Sequence, residues 1–202
     1  MLVMGILNVT PDSFADGGLH YETDLAIARG YEMVEEGVDI IDIGGESTRP
    51  GADRVSEEEE QARVLPVVLA LAETKVDISI DTMRASTARL AVAAGASIVN
   101  DVSGGAADPL MFATVAELGC KYTLMHWRGH SKDMNSKAIY GDVVEDVIAE
   151  VTIQLDKALA AGIQKENIIL DPGIGFAKDP EHNWEILNRI EEFVALGYPV
   201  LI

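Results

Sequence analysis

The chain has 202 residues, 48% of them hydrophobic, enough to bury a sizeable core, most simply as a single domain over 1–202. Fifteen Lys and Arg against 34 Asp and Glu give a formal charge of −19, which opposes binding to nucleic-acid backbones and to anionic membrane surfaces. The single Cys120 excludes an internal disulfide, no apolar run approaches the roughly 20 residues of a bilayer-spanning helix, and MLVMGILNVT lacks the basic start and long apolar core of a signal peptide. A soluble, cytoplasmic protein is expected.

Taken in chain order, strands are predicted near 2–8, 38–43, 76–81, 97–102, 121–126, 167–171 and 198–202, with helices near 24–36, 57–73, 85–95, 108–119, 140–162 and 180–196. The pattern rests on a repeated punctuation. Gly37, Gly95, Gly119, Gly162 and Gly197 each end a helical stretch and precede a short run rich in Val, Ile and Leu, as left-handed helix caps do. Those runs lack clean alternation, which suits parallel strands covered on both faces. Ser56, followed three residues later by Glu59, predicts a capping box for the second helix, and Pro66 falls inside that helix.

Alternating strands and helices of this kind predict an α/β fold, a (β/α)8 TIM barrel with the chain ending after strand seven. Seven strands and six helices fall short of eight units, so either a further helix–strand–helix portion is expected beyond Ile202, the reading preferred for the barrel's regularity, or the fold is a shorter open α/β sheet. The 202-residue polypeptide by itself is accordingly expected to fold poorly and to be inactive.

In such a fold the chemistry sits at the C-terminal ends of the strands. NVTPDSFADGG after the first strand and DIGGESTRPGA after the second are glycine-punctuated polar loops with the composition of lids. The other strand ends carry Asp81, Asn100, Asp101, Met125, His126 and Asp171. Several carboxylates and an amide at one mouth need partners, supplied by a metal or by a ligand edge rich in N–H donors. Asp101, beside Ser103 and Gly104, is the one best placed to hold its own loop instead. His126 and His130 have a zinc-like spacing without an accompanying Glu and are left unassigned; Trp127 and Trp184 are expected to pack.

MGILNVTPDSF, DIGGESTRPGA, SIDT, NDVSGG, LMHWR and LDPGIGFAKD, in this order, resemble the dihydropteroate synthase family along essentially the whole chain. The resemblance implies a (β/α)8 barrel that condenses 6-hydroxymethyl-7,8-dihydropterin pyrophosphate with para-aminobenzoate, giving 7,8-dihydropteroate and pyrophosphate for folate synthesis. It implies that Asp81, Asn100 and Asp171 hold the pterin ring, with Met125 and Phe176 as apolar walls, and that Asn8 helps bind Mg²⁺. By the same resemblance Phe14 and Asp16 in the first loop, and Thr48, Arg49 and Pro50 in the second, close over pyrophosphate and form the aminobenzoate site. Asp81, Asp171 and Asp16 are the implied catalytic residues. The implied chemistry is dissociative, with a pterin-methyl cation captured by the aromatic amine.

Two features depart from the family pattern. Ala15 stands where many relatives have serine, and the family's Ser-Arg-Lys and Arg-x-His segments would fall after Ile202. A family homodimer would likewise use late helices. The alternatives are a pterin-binding methyltransferase barrel and a non-catalytic pterin-binding paralogue.

Overall fold

A computed structural model of the chain describes residues 1–10, 19–47, 54–130 and 134–202. Among the described residues six parallel strands alternate with helices. The described residues divide into two compact units, one within residues 1–47 and 54–100, the other within Asp101–Ile202.

In the first unit the order is β1 (Met4–Asn8), α1 (Leu19–Glu36), β2 (Ile40–Gly44), α2 (Glu57–Leu71), β3 (Asp77–Asp81), α3 (Ala85–Ala93) and β4 (Ile98–Asp101). Each strand pairs in parallel with the next. The register creates two contrasting rows. Leu7, Ile43, Ile80 and Val99 align across the four strands, and all are buried. One residue further along, Asn8, Gly44, Asp81 and Asn100 align in the same way. Because neighbouring residues of a strand point to opposite faces, the apolar row faces away from the polar one. Val64, Val67, Val68 and Leu71 of α2 and Ala88 and Ala91 of α3 complete the buried apolar set. Burial of this kind stabilises at about 25 cal/mol per Å² of apolar surface.

Helix α2 begins as the sequence predicts, with Ser56 Oγ accepting from Glu59 N at 3.2 Å. Only this half of the expected box is seen, for the Glu59 carboxylate takes the Arg63 guanidinium instead. Arg63 is itself buried and donates to Gly45 O at 2.8 Å, fixing the start of the second loop. Pro66 lies inside α2.

The second unit contains α4 (Met111–Leu118), β5 (Lys121–Met125), α5 (Val143–Ala160), β6 (Ile168–Asp171), α6 (Pro180–Asn188) and α7 (Ile190–Val194). Strands β5 and β6 pair in parallel, Met125 opposite Asp171. Asp142 caps α5 by accepting from Val144 N and Glu145 N, and Asp179 with His182 forms a capping box on α6.

The first helix begins at Leu19 rather than near 24, and two further expectations are corrected. The predicted seventh strand is a single parallel bridge, Leu170 to Val200, flanked by bonds from Leu170 N to Pro199 O and Leu201 N to Leu170 O. The predicted last helix is broken at Arg189, whose backbone (φ −118°, ψ 27°) is not helical and whose guanidinium binds Asp142, Glu185 and Glu192. The five punctuating glycines all take positive φ, and Gly119 is the left-handed cap of α4. Among the described residues no helix is long and apolar enough to cross a membrane.

Candidate functional site

The polar row of the first unit assembles three of the sequence-predicted residues. Asn8 ends β1, Asp81 ends β3 and Asn100 lies next to the end of β4, with Gly44 between Asn8 and Asp81. A Cβ at Gly44 would lie 3.3 Å from Asp81 Oδ2 and 3.5 Å from Asn8 Oδ1. A bare glycine at this register therefore leaves the amide oxygen and the carboxylate facing one another across the strand. Two oxygens of that kind, one neutral and one anionic, suit a hard divalent cation that draws its other ligands from water and phosphate. Among the described residues no group of three or more His, Cys, Asp or Glu surrounds a metal position.

Beneath this row lies a residue that the motif reading passed over. Asp42 is buried, and the Asn100 side-chain amide donates to its Oδ2 at 2.9 Å. The bond occupies Nδ2 and so fixes which way the Asn100 amide faces. Burial pushes the Asp42 carboxyl up, the Ser79 hydroxyl and the Asn100 amide pulling the other way. Asp42 Oδ1 and the hydroxyl of Ser79, its register partner, are both buried. An acidic residue in the middle of VDIIDI was the available signal, since an apolar strand rarely buries a charge without purpose.

The second loop is gripped at both ends. Glu46 accepts from Arg54 Nε and from Arg84 Nη1, both at 2.9 Å, and Arg84 also donates to Val55 O and to the buried Glu60 at 2.6 Å. Thr82 and Thr87 hydroxyls donate to the same Glu60 carboxylate. Phe14, Asp16, Thr48, Arg49 and Pro50 lie outside the described residues.

In the second unit Asp101 holds its own loop, as its neighbours suggested. Its Oδ1 accepts from Ser103 N and Oγ, and its Oδ2 from Gly105 N and the buried Tyr122 hydroxyl. The loop must lie close on β5, because a Cβ at Gly104 (φ +56°) would stand 2.4 Å from Met125 O. Met125 is buried at the end of β5 and Asp171 ends β6 opposite it. Asp171 Oδ1 accepts from Gly173 N at 2.7 Å, turning the chain immediately into the 173–178 segment that carries Phe176.

A buried polar chain lies behind that segment, and only its terminal motif was visible in the sequence. His126, 2% exposed, has both ring nitrogens engaged, Nε2 with Glu150 at 3.0 Å and Nδ1 with Lys178 Nζ at 2.9 Å. Burial and then the Lys178 ammonium push its pKa down to about 3, so the ring is neutral, with Nε2–H donating to Glu150 and Nδ1 accepting. Arg128 makes a paired contact with the same Glu150 and lies over the Tyr140 ring at 3.8 Å. Contrary to expectation Trp184 is 67% exposed, whereas Trp127 meets His130 edge-on.

Comparison with known proteins shows the family of the chain. The family described as pterin binding enzyme matches residues 4–202. The dihydropteroate synthase of Mycobacterium leprae is 50% identical over 201 residues, 99% of this chain and 71% of that protein. Solved structures of Xanthomonas albilineans dihydropteroate synthase are similar throughout. The one with 4-aminobenzoic acid has a TM-score of 0.91 at 44% identity, covering 98% of this chain and 71% of that one. The one with 7,8-dihydropteroate has a TM-score of 0.87 at 40% identity, covering 98% and 70%.

Proposed function

We propose, for a chain that belongs to the pterin binding enzyme family, the dihydropteroate synthase reaction: condensation of 6-hydroxymethyl-7,8-dihydropterin pyrophosphate with para-aminobenzoate to 7,8-dihydropteroate and pyrophosphate. It is a transferase of folate biosynthesis. The observation that carries the reading is the row Asn8–Gly44–Asp81–Asn100 at the C-terminal ends of parallel strands, where an α/β fold of this class does its chemistry.

In this reading the carboxylates of Asp81 and Asp171 accept from the N–H edge of the pterin, since ionised carboxylates can only accept. Asn100, oriented by Asp42, supplies an amide. Met125 and Phe176 cover the ring's apolar faces. As the C–O bond to pyrophosphate breaks, positive charge develops on the pterin methyl carbon, and fixed carboxylates in a site closed to water stabilise it without reorganising. The aromatic amine then attacks that carbon and loses a proton. Phe14 and Asp16 of the first loop, with Thr48, Arg49 and Pro50 of the second, exclude water and seat the aminobenzoate. The Arg84–Glu46–Arg54 network sets where the second loop leaves and re-enters the fold.

Mg²⁺ is the cofactor that fits: Asn8 Oδ1 offers it a neutral oxygen, and when bound it neutralises pyrophosphate charge. In this reading the partners are small molecules, the enzyme works in the cytoplasm, and a full-length chain pairs as a homodimer.

The test is formation of dihydropteroate that depends on para-aminobenzoate, followed together with pyrophosphate release. Pterin binding without product would instead select the non-catalytic paralogue. Methyl transfer to a corrinoid protein would select the methyltransferase.

A further inference from the structure

The segment after β6 has an unusual backbone. Gly173 (φ +71°), Gly175 (φ +82°) and the non-glycine Ala177 (φ +49°) all adopt left-handed conformations within five residues. A Cβ at Gly173 would stand 2.6 Å from His126 O, so the segment passes directly against the end of β5. Left-handed backbone at alanine costs about 1 kcal/mol or more and persists only where surrounding contacts enforce it. Tyr140 donates to Ala177 O at 2.9 Å and Gly175 N donates to Asn183 Oδ1 at 2.9 Å, but these contacts act from the outside. The inner contact is Lys178. Its Nζ, in a side chain 7% exposed, lies 3.0 Å from Gly173 O, 3.1 Å from Phe176 O and 2.9 Å from His126 Nδ1.

An ammonium has three N–H donors and no lone pair. Here it meets three acceptors. His126 Nδ1 accepts because Nε2–H is committed to Glu150. The geometry points to Lys178 as a positioning residue for pterin binding, whose ammonium pins the Gly173–Phe176 wall to the end of β5 and thereby sets Asp171 and Phe176 in place. The inference rests on the reading of Asp171 and Phe176 as pterin contacts.

The pin is also titratable. Burial, then the nearby Arg128, lowers the Lys178 pKa to about 7, against the opposing pull of Asp171 and Glu150. Around it stand His126 at the end of β5, Arg128 after it, Glu150 on α5 and Asp171 on β6. His126 is already neutral in this range, because its own pKa lies at about 3. A neutral amine keeps two donors for three acceptors, so raising the pH through the Lys178 transition removes one of the three ties that join the wall to the end of β5.

The experiment compares the protein with its Lys178→Met variant, using 6-hydroxymethylpterin pyrophosphate with Mg²⁺ in titration calorimetry between about pH 6 and pH 8.5. The ligand's own ionisation is common to both proteins and cancels in the ratio of affinities. At the acid end the variant should bind roughly ten-fold more weakly, the scale of one hydrogen bond to a charged donor. The gap should narrow several-fold with a midpoint near 7, and the KM for para-aminobenzoate should stay unchanged. A ratio that is flat with pH, or a variant that binds as the parent does, overturns the inference.

Hydrogen exchange at the Gly175 and Phe176 amides of the unmodified protein, corrected for intrinsic rates, gives a reading independent of whether the variant folds. Protection should fall through the same midpoint, and constant protection overturns the pin. Failure of the pterin reading looks different. The unmodified protein would then bind no pterin at either pH, while the exchange profile still decides what Lys178 does.

Discussion

The side-chain amide of Asn100 donates to Asp42 Oδ2 at 2.9 Å, so a proposed pterin contact is oriented by a buried carboxyl one layer below it. Burial raises the pKa of that carboxyl. In the folded state Asp42 therefore holds its proton to higher pH than in the unfolded chain, and its contribution to stability declines as pH rises through the folded-state pKa.

Asp42→Asn keeps an oxygen for Asn100 and removes the ionisation. It should raise the thermal midpoint relative to the parent at about pH 8 and lose that advantage near about pH 4, with pterin affinity kept within roughly three-fold. Asp42→Ala should lose about 1–3 kcal/mol of stability and weaken pterin binding, because the Asn100 amide is then unanchored. Denaturant midpoints with calorimetry check both.

Arg84 is the hub of the first unit's ionic network, serving Glu46, Glu60 and Val55 O. Glu60 is 1% exposed, and removing the guanidinium leaves its charge buried with only hydroxyl donors from Thr82 and Thr87. Arg84→Met should cost about 3–5 kcal/mol. Arg84→Met combined with Glu60→Gln should recover a large part of that loss. A loss equal in the single and double variants would contradict the network, as read from urea unfolding of all three.

His126 predicts an acid-sensitive core. Its folded-state pKa of about 3 lies below its ordinary 6.5, so the unfolded chain takes up the proton first. Stability should then fall as pH drops from about 6.5 towards about 3, by a few kcal/mol if His126 titrates alone. Other carboxylates titrate in the lower part of this window, so the measurement is the difference between the parent and His126→Gln, whose side chain never charges. The difference should be constant above about pH 7 and should shift in favour of the variant on acidification.

Much of this architecture was legible because parallel βα units write themselves locally. The glycine caps and the short Val- and Ile-rich runs located every strand that formed a ladder. What failed was YPVLI, where a strand-like composition yields only the Leu170–Val200 bridge, since composition reports propensity and not pairing. Arg189 was also missed. It looks like an ordinary helical residue until Asp142, Glu185 and Glu192 are seen around it. In the site, Asp81 and Asn100 were readable as strand-end polar residues and Asn8 came only through the family resemblance, whereas Asp42 and Lys178 were not, because their roles depend on partners 58 and 52 residues away in sequence.

Asp101 and Asp171 end strands in the same way, yet the structure separates their tasks. All four contacts of Asp101 go to its own unit: Ser103 N and Oγ, Gly105 N and Tyr122 OH. Asp171 Oδ1 accepts from Gly173 N, and the residue stands opposite Met125 at the C-terminal end of the β5–β6 pair. Substitution should therefore divide the two. Asp101→Ala leaves a buried phenol and two backbone N–H groups without acceptors, and should cost about 2–4 kcal/mol of stability. At temperatures where it stays folded, its pterin affinity should be near that of the parent. Asp171→Asn keeps an oxygen for Gly173 N and should cost less than about 1 kcal/mol in stability. Its pterin affinity should drop at least about ten-fold, because an amide cannot replace a carboxylate as a double acceptor facing N–H donors. Thermal melts and titration calorimetry on the two variants decide this. Unchanged pterin affinity in Asp171→Asn would remove that residue from the pocket, and a stable Asp101→Ala that has lost pterin binding would put Asp101 there instead.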